Sequence, residues 1–207
     1  MAEIAALLVG DPPALWSELG FVVDDDTVEV SGVHHVLGGD KKGIRDWSMR
    51  GLAGDIDVLD GLPFGLPAAP ARPTPDHPNG VVALDHVVLA TPDIARTIES
   101  IEAAGIECRR VREAGTYGAP MRQAFFRLGE VILEVVGGAE KSGDGPPRFF
   151  GLAYTVRDLD ETARFLGDRL HPAKDAVQPG RRIATLDKGA GSTVPLAFMS
   201  PGLQNEG

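Results

Sequence analysis

Cysteine is almost missing from this chain, with Cys108 alone among 207 residues. That excludes an internal disulfide and any zinc site built on cysteines. With no histidine or helix start beside it, Cys108 reads as a half-buried small residue rather than a thiolate nucleophile. Long apolar runs are missing too, and none approaches the roughly 20 residues needed to span a bilayer. The opening MAEIAALLVGDPP lacks the positive flank and apolar length of a secretory signal, so a reducing, cytoplasmic setting is expected. Positive charge is in deficit: 20 Lys and Arg stand against 30 Asp and Glu, for a formal net charge of −10. This argues against nucleic acid or an anionic membrane as the main partner, because both need a positive surface. A small acidic ligand stays open, since a local site can differ from the total. The glycines match neither a P-loop nor a dinucleotide fingerprint.

What is present is an ordinary globular composition, 43% hydrophobic and 24% charged, on a chain long enough for one large domain or two small ones. Residues 61–80 carry six prolines and read as a linker or a surface-hugging extended segment. Before them, residues 1–60 form a short unit. IAALLVG reads as a strand, Asp11 and Pro12 open a helix, and Leu15, Trp16 and Leu19 give that helix an apolar side. FVVDDD, TVEVSG and VHHVLGG follow as strand-like pieces, with one more strand around Ile44–Leu52.

After the prolines, residues 81–138 read as strand, helix, strand and hairpin. LDHVVLA is the first strand, and Thr91-Pro92-Asp93 starts a helix whose Ile94, Ile98 and Ile101 share one face. Gly129-Glu130 reads as a two-residue turn between QAFFRL and VILEVVG. It would pair Leu128 with Val131 and Phe125 with Glu134. The pattern repeats over residues 147–201: FFGLAYTV, a helix capped by Asp158, then strands near DAVQPG, RRIATLD and VPLAFMS. Residues 202–207 read as a loose tail. Aligned on the helix starts, His86 lies over Gly151 and Glu134 over Ala197. Residues 1–60 fit the same template in shortened form, with His35 over Glu134. The expected fold class is therefore α+β, built from repeated βαβββ modules: a shortened one over 1–60, and a pair over 81–201 (81–138 and 147–201).

Leu84-Asp85-His86-Val87-Val88-Leu89, and Arg122 to Gly129 leading into Val131-Ile132-Leu133-Glu134, resemble the vicinal oxygen chelate superfamily, the glyoxalase and bleomycin-resistance group. The second stretch is similar to methylmalonyl-CoA epimerases and related glyoxalase-like proteins. The resemblance implies two modules pairing into a curved mixed sheet around a cleft, with helices on the outer face. It implies either a metal-assisted isomerase, epimerase, lyase or dioxygenase acting on a small oxygenated substrate, or a metal-free drug or metabolite binder. It also implies either one divalent metal (Zn, Fe, Mn, Co or Ni) or none.

Strand alternation places His86, Gln123, Phe125 and Glu134 on the face away from the helix. A carboxylate inside VILEVV needs a partner, because burying a lone charge is costly. A metal, a protonated His86 or an arginine would each serve. His86 and Glu134 are the candidate metal ligands, with His35 a third, and Glu134 doubles as candidate catalytic base. Gln123, Phe125 and Arg182 are candidate ligand contacts. His77 and His171, beside prolines, are expected in solvent. The count of modules is odd, and a homodimer is one way to pair the extra one.

Overall fold

The computed structural model describes residues 1–39, 41–54, 56–116 and 119–202; the tail expected over 202–207 lies outside them except for Gly202. The chain runs β1 (Glu3–Val9), α1 (Pro13–Glu18), β2 (Thr27–Val30), β3 (Val33–Leu37), β4 (Ile44–Arg50), β5 (Val58–Leu59) and β6 (Leu62–Pro63). It continues with β7 (Val81–Ala90), α2 (Ile94–Ala103), β8 (Cys108–Thr116), β9 (Ala119–Leu128) and β10 (Val131–Gly138). Last come β11 (Arg148–Val156), α3 (Leu159–Leu166), β12 (Lys174–Asp175), β13 (Arg182–Thr185) and β14 (Leu196–Met199). The fold is α+β, with the βαβββ unit present twice.

The two units join in one eight-stranded sheet of order β12-β13-β14-β11-β7-β10-β9-β8. In each, the first strand lies parallel to the last, β7 beside β10 and β11 beside β14. The two first strands, β7 and β11, meet antiparallel at the centre. Asp93 and Asp158 cap α2 and α3, taking the Arg96 amide in one case and the Asp160 and Glu161 amides in the other. At Gly129 the backbone turns with φ of 65°, and Leu128 pairs with Val131 across the hairpin. Phe125 therefore lies opposite Glu134 and Gln123 opposite Val136. On β10 the odd positions are buried and the even ones half-buried. Val87, Leu89, Leu133 and Val135 join Ile94 and Ile101 of α2 in the core on one face, which frees the other face for a site. Arg110 on β8 and Lys174 on β12, at opposite ends of the strand order, line the same cleft, so the sheet curls around it.

Residues 1–60 form a four-stranded sheet of order β2-β3-β1-β4. FVVDDD is not a strand here: Phe21 turns inward against Trp16 and Tyr154, and the acidic residues after it make a turn closed by the Asp24–Thr27 bridge. The unit is thus βαββ, with β1 parallel to β3. β4 then runs antiparallel to β1, as β11 does to β7. The extra module has its own partial mate within the chain. Its helix starts one residue later than expected, with Pro12 at the cap and Pro13 at the first position. The freed Asp11 is fully buried and accepts hydrogen bonds from Trp16 Nε1 and from Ser192 and Thr193, tying this unit to the last one.

One face of the small sheet packs on the outer face of the large one. Tyr154 meets His35 and Phe198 there with ring centroids 5.8 and 6.3 Å apart, and a single hydrophobic core runs through both sheets. The proline-rich segment covers the other face. Its carbonyls accept from Ser48 (Pro67 O, 3.1 Å), Arg50 (Ala69 O, 2.8 Å) and His34 (Pro70 O, 2.8 Å). Proline has no N–H to give but keeps its acceptor, which suits this strap-like role. His77, expected in solvent, is buried: its Nδ1 accepts from the Val22 amide and its Nε2 faces Glu29 O. His171 is exposed beside Asp187.

Candidate functional site

The concave face of the large sheet holds a cleft of about 880 Å³. A hydrogen-bonded row of side chains crosses its floor. Arg181 Nη1 lies 2.7 Å from Asp85 Oδ2, and Thr155 Oγ1 donates to the same oxygen at 3.0 Å. Asp85 Oδ1 accepts from His86 Nδ1 at 3.0 Å. His86 Nε2 faces Glu134 Oε2 at 3.5 Å. Glu134 Oε1 accepts from Gln123 Nε2 at 2.6 Å, and Gln123 Oε1 accepts from Arg112 Nε at 2.5 Å. The Arg112 guanidinium lies 5.5 Å from the centre of the Phe125 ring.

Strand register builds this row. β7 and β10 pair in parallel, so His86 stands beside Ile132 and Glu134 beside Val88, one step along the same face. A register shift in the β7–β11 pairing, between Ala153 and Tyr154, lets Asp85 reach both Thr155 and His86. The side chains of His86 and Glu134 keep 15% and 14% of their exposure, which leaves them open to the cleft but largely out of water.

The electrostatics set the roles. Burial alone would raise the Asp85 carboxyl, but hydrogen bonds from His86 and Arg181, with their charges, outweigh it and hold it down to about 2. Asp85 is then a carboxylate at any physiological pH and keeps a proton on His86 Nδ1. The other ring nitrogen, Nε2, is directed at Glu134. His86 Nε2 and Glu134 Oε2, each able to hold a proton, thus face each other across 3.5 Å. The Gln123 amide orientation follows from its neighbours, since Arg112 only donates and the Glu134 carboxylate accepts.

Of the residues singled out in the sequence, His86, Gln123, Phe125 and Glu134 all line this cleft. Arg182 does not: it pairs with Asp160 of α3 on the surface. Its neighbour Arg181, just before β13, turns inward instead, to Asp85 and Thr155. His35 is not at the cleft either. It is fully buried in the small sheet, with Nδ1 against Val28 O and Val33 O, and packs on Trp16 and Tyr154. Burial pushes its imidazole down to about 4. Asp85 and Arg112 are not among the residues singled out in the sequence, and of the pair Arg181-Arg182 the sequence points to the wrong member. Asp85 was legible as the polar neighbour of His86; nothing local marks Arg181, which reaches the site only through the pairing of β11, β13 and β14.

The residues fit a divalent metal poorly. His86 Nε2 and Glu134 are two donors, where a tight site takes three or four protein ligands. Among the described residues no group of three His, Cys, Asp or Glu could hold an ion. The Gln123 oxygen is engaged by Arg112, and the Asp85 oxygens by His86, Thr155 and Arg181. The matching positions of the other unit are bare. A Cβ on Gly151 would stand 2.7 Å from Pro195 O, so backbone packing requires glycine there. Ala197, beside Ala153, ends at a methyl.

No family model matches the chain, and neither does any curated protein. Solved structures do. A methylmalonyl-CoA epimerase from Mycobacterium tuberculosis is 22% identical over 59% of this chain and 90% of its own, with a TM-score of 0.48. A hypothetical protein from Bacillus halodurans is 18% identical over 60% and 97%, with a TM-score of 0.48. A variant of the Streptomyces coelicolor methylmalonyl-CoA epimerase, in complex with 2-nitronate-propionyl-CoA, is 19% identical over 59% and 99%, with a TM-score of 0.47. The two βαβββ units of this chain pair into one sheet, as expected from the sequence.

Proposed function

We propose that the cleft catalyses proton transfer at a carbon next to a carbonyl, as in an isomerase, an epimerase or a related lyase, on a small oxygenated substrate and without a metal. The observation that carries this reading is the His86–Glu134 pair, 3.5 Å apart, each member fixed from behind by Asp85 or Gln123. Both groups are within reach of one substrate atom placed over the gap. One member takes the proton from carbon, and the C–H electron pair moves into the carbonyl as an enolate. The other member returns a proton to the carbon, and the enolate electrons move back. Asp85 stabilises His86 while it is protonated.

The alternative is metal-free binding with no chemistry. The bare positions Gly151 and Ala197 favour it, because they leave polar groups on one side of the floor only. Proton NMR in deuterium oxide separates the two. A panel of small 2-oxo acids, 3-oxo acids and 2-hydroxyketones is incubated with the protein and with its His86→Gln and Glu134→Gln variants. Wash-in of deuterium by wild type alone supports proton transfer. Binding of panel members without wash-in contradicts it.

A further inference from the structure

We propose that the cleft carries a built subsite for an oxyanion, a carboxylate or a phosphate, formed by Arg110, Arg112 and Lys174, and that the molecule it takes has an apolar body ending in that anion. The proposal deepens the proton-transfer reading and rests on the same cleft, but it concerns the end of the ligand remote from the reacting carbon.

Charge is the first observation. The chain is acidic overall, yet four arginines and Lys174 line this cleft against two carboxylates, Glu134 and Asp175. Two of the arginines are spoken for: Arg109 pairs with Glu107, and Arg127 with Glu130. Among the described residues, Arg110 and Lys174 have no side-chain partner, and Arg112 uses only Nε, on Gln123. Cations left unpaired around a concave site in an acidic protein focus a positive potential where the rest of the surface repels anions.

Geometry is the second. Arg110 pairs with Phe125 and Arg112 with Gln123 across β8 and β9, so both point to the concave face, about 6.6 Å apart at the usual strand rise of about 3.3 Å per residue. Lys174 faces them from β12, at the other end of the curled sheet. The three cations thus bracket the cleft from two sides. The lining is apolar along Ile132, Ile183, Met199 and Val177, which suits a hydrophobic body rather than a bare inorganic ion. Guanidinium forks bind carboxylate and phosphate in two-point fashion, so the residue types match the ligand class.

The test is calorimetric titration of the full chain with phenyl phosphate, phenylacetate and inorganic phosphate. The variants are Arg110→Gln, Lys174→Gln and both together, with Arg164→Gln on α3 as the control. All are at exposed positions, and far-UV circular dichroism checks the fold. Binding of phenyl phosphate or phenylacetate, weakened about tenfold or more in the double variant and unchanged in the control, is expected for lost charge-assisted contacts. The tighter of the two aryl ligands identifies phosphate or carboxylate. Tighter binding of inorganic phosphate than of either aryl anion overturns the apolar body. No binding of any probe, or binding indifferent to the double variant, overturns the subsite and leaves the cations as guards that keep edge strands β8 and β12 from pairing. His86→Gln serves to separate the two readings. If it binds the probes normally and wild type washes in no deuterium, the subsite stands and proton transfer falls.

Discussion

Asp85 holds its sequence neighbour His86 by the ring, Oδ1 to Nδ1 at 3.0 Å, while Arg181 holds Asp85 from the other side at 2.7 Å. Adjacent residues on a regular strand point to opposite faces, so this pair depends on the register shift in β7–β11 pairing. The contact fixes which nitrogen of His86 faces Glu134.

Replacing Arg181 should therefore act on His86 through Asp85. In Arg181→Met, Asp85 loses its strongest cationic partner and its carboxyl rises from about 2. A carboxylate depressed in the folded state gives stability that is present above its unfolded value and lost as pH falls through the folded one. Wild type should keep this contribution, on the order of 2 kcal/mol, down to about pH 3 to 4, losing it only below. The variant should be less stable near neutral pH by urea denaturation, with a smaller loss on going to pH 2. Equal stability of the two proteins at pH 7 would contradict the ion pair.

His35 titrates in the opposite setting. Its imidazole is pushed from 6.5 down to about 4 by burial. The unfolded chain then binds a proton that the folded one refuses, so stability is full above pH 6.5 and falls as pH drops from there to about 4. His35→Leu should remove this share of the acid sensitivity, about 2 kcal/mol between pH 7.5 and pH 5. Urea midpoints of both proteins at the two pH values check it; parallel losses would show that His35 is not the group responsible.

Gln123 bridges Glu134 and Arg112, donating to one and accepting from the other. Gln123→Leu leaves both partners short of a hydrogen bond in a half-buried floor, at a cost of about 1–3 kcal/mol. Gln123→Glu should be as damaging, since it places a second carboxylate against Glu134. A thermal-shift series on the two variants reads this directly, and a neutral Gln123→Leu would mean that water replaces the amide.

Two protein donors predict no tightly held metal. Protein expressed with added zinc, manganese, iron, cobalt and nickel should carry well under one ion per chain by elemental analysis, and His86→Ala and Glu134→Ala should not change the figure. One ion per chain in wild type, lost in both variants, would sink the metal-free reading.

The local elements were legible because their signals are local. Asp93 and Asp158 mark helix starts, the isoleucine stripe marks a buried face, and Gly129-Glu130 sets the register that puts Phe125 opposite Glu134. The site was half legible for the same reason: alternation alone places His86, Gln123, Phe125 and Glu134 on one face. Of the adjacent Arg181 and Arg182, the sequence points to Arg182 as the ligand contact, because a turn before a short strand gives no sign of which residue faces in. FVVDDD has the look of a strand, and nothing in it announces that Phe21 is drawn to Trp16 and Tyr154 instead of to a sheet neighbour. Covering of the small sheet by the proline segment depends on carbonyls, which every sequence supplies and none advertises.

The central claim is that His86 and Glu134 together move a proton to and from carbon. The most direct measurement is the rate of deuterium wash-in, by proton NMR, for the panel member that wild type exchanges fastest, repeated with Glu134→Gln under conditions where both proteins are saturated. Glutamine keeps the shape and the Gln123 contact but cannot carry the proton. The account predicts a fall of about a hundredfold or more, the usual range for loss of a general acid or base, with binding of the ligand retained. An unchanged rate in Glu134→Gln would contradict it.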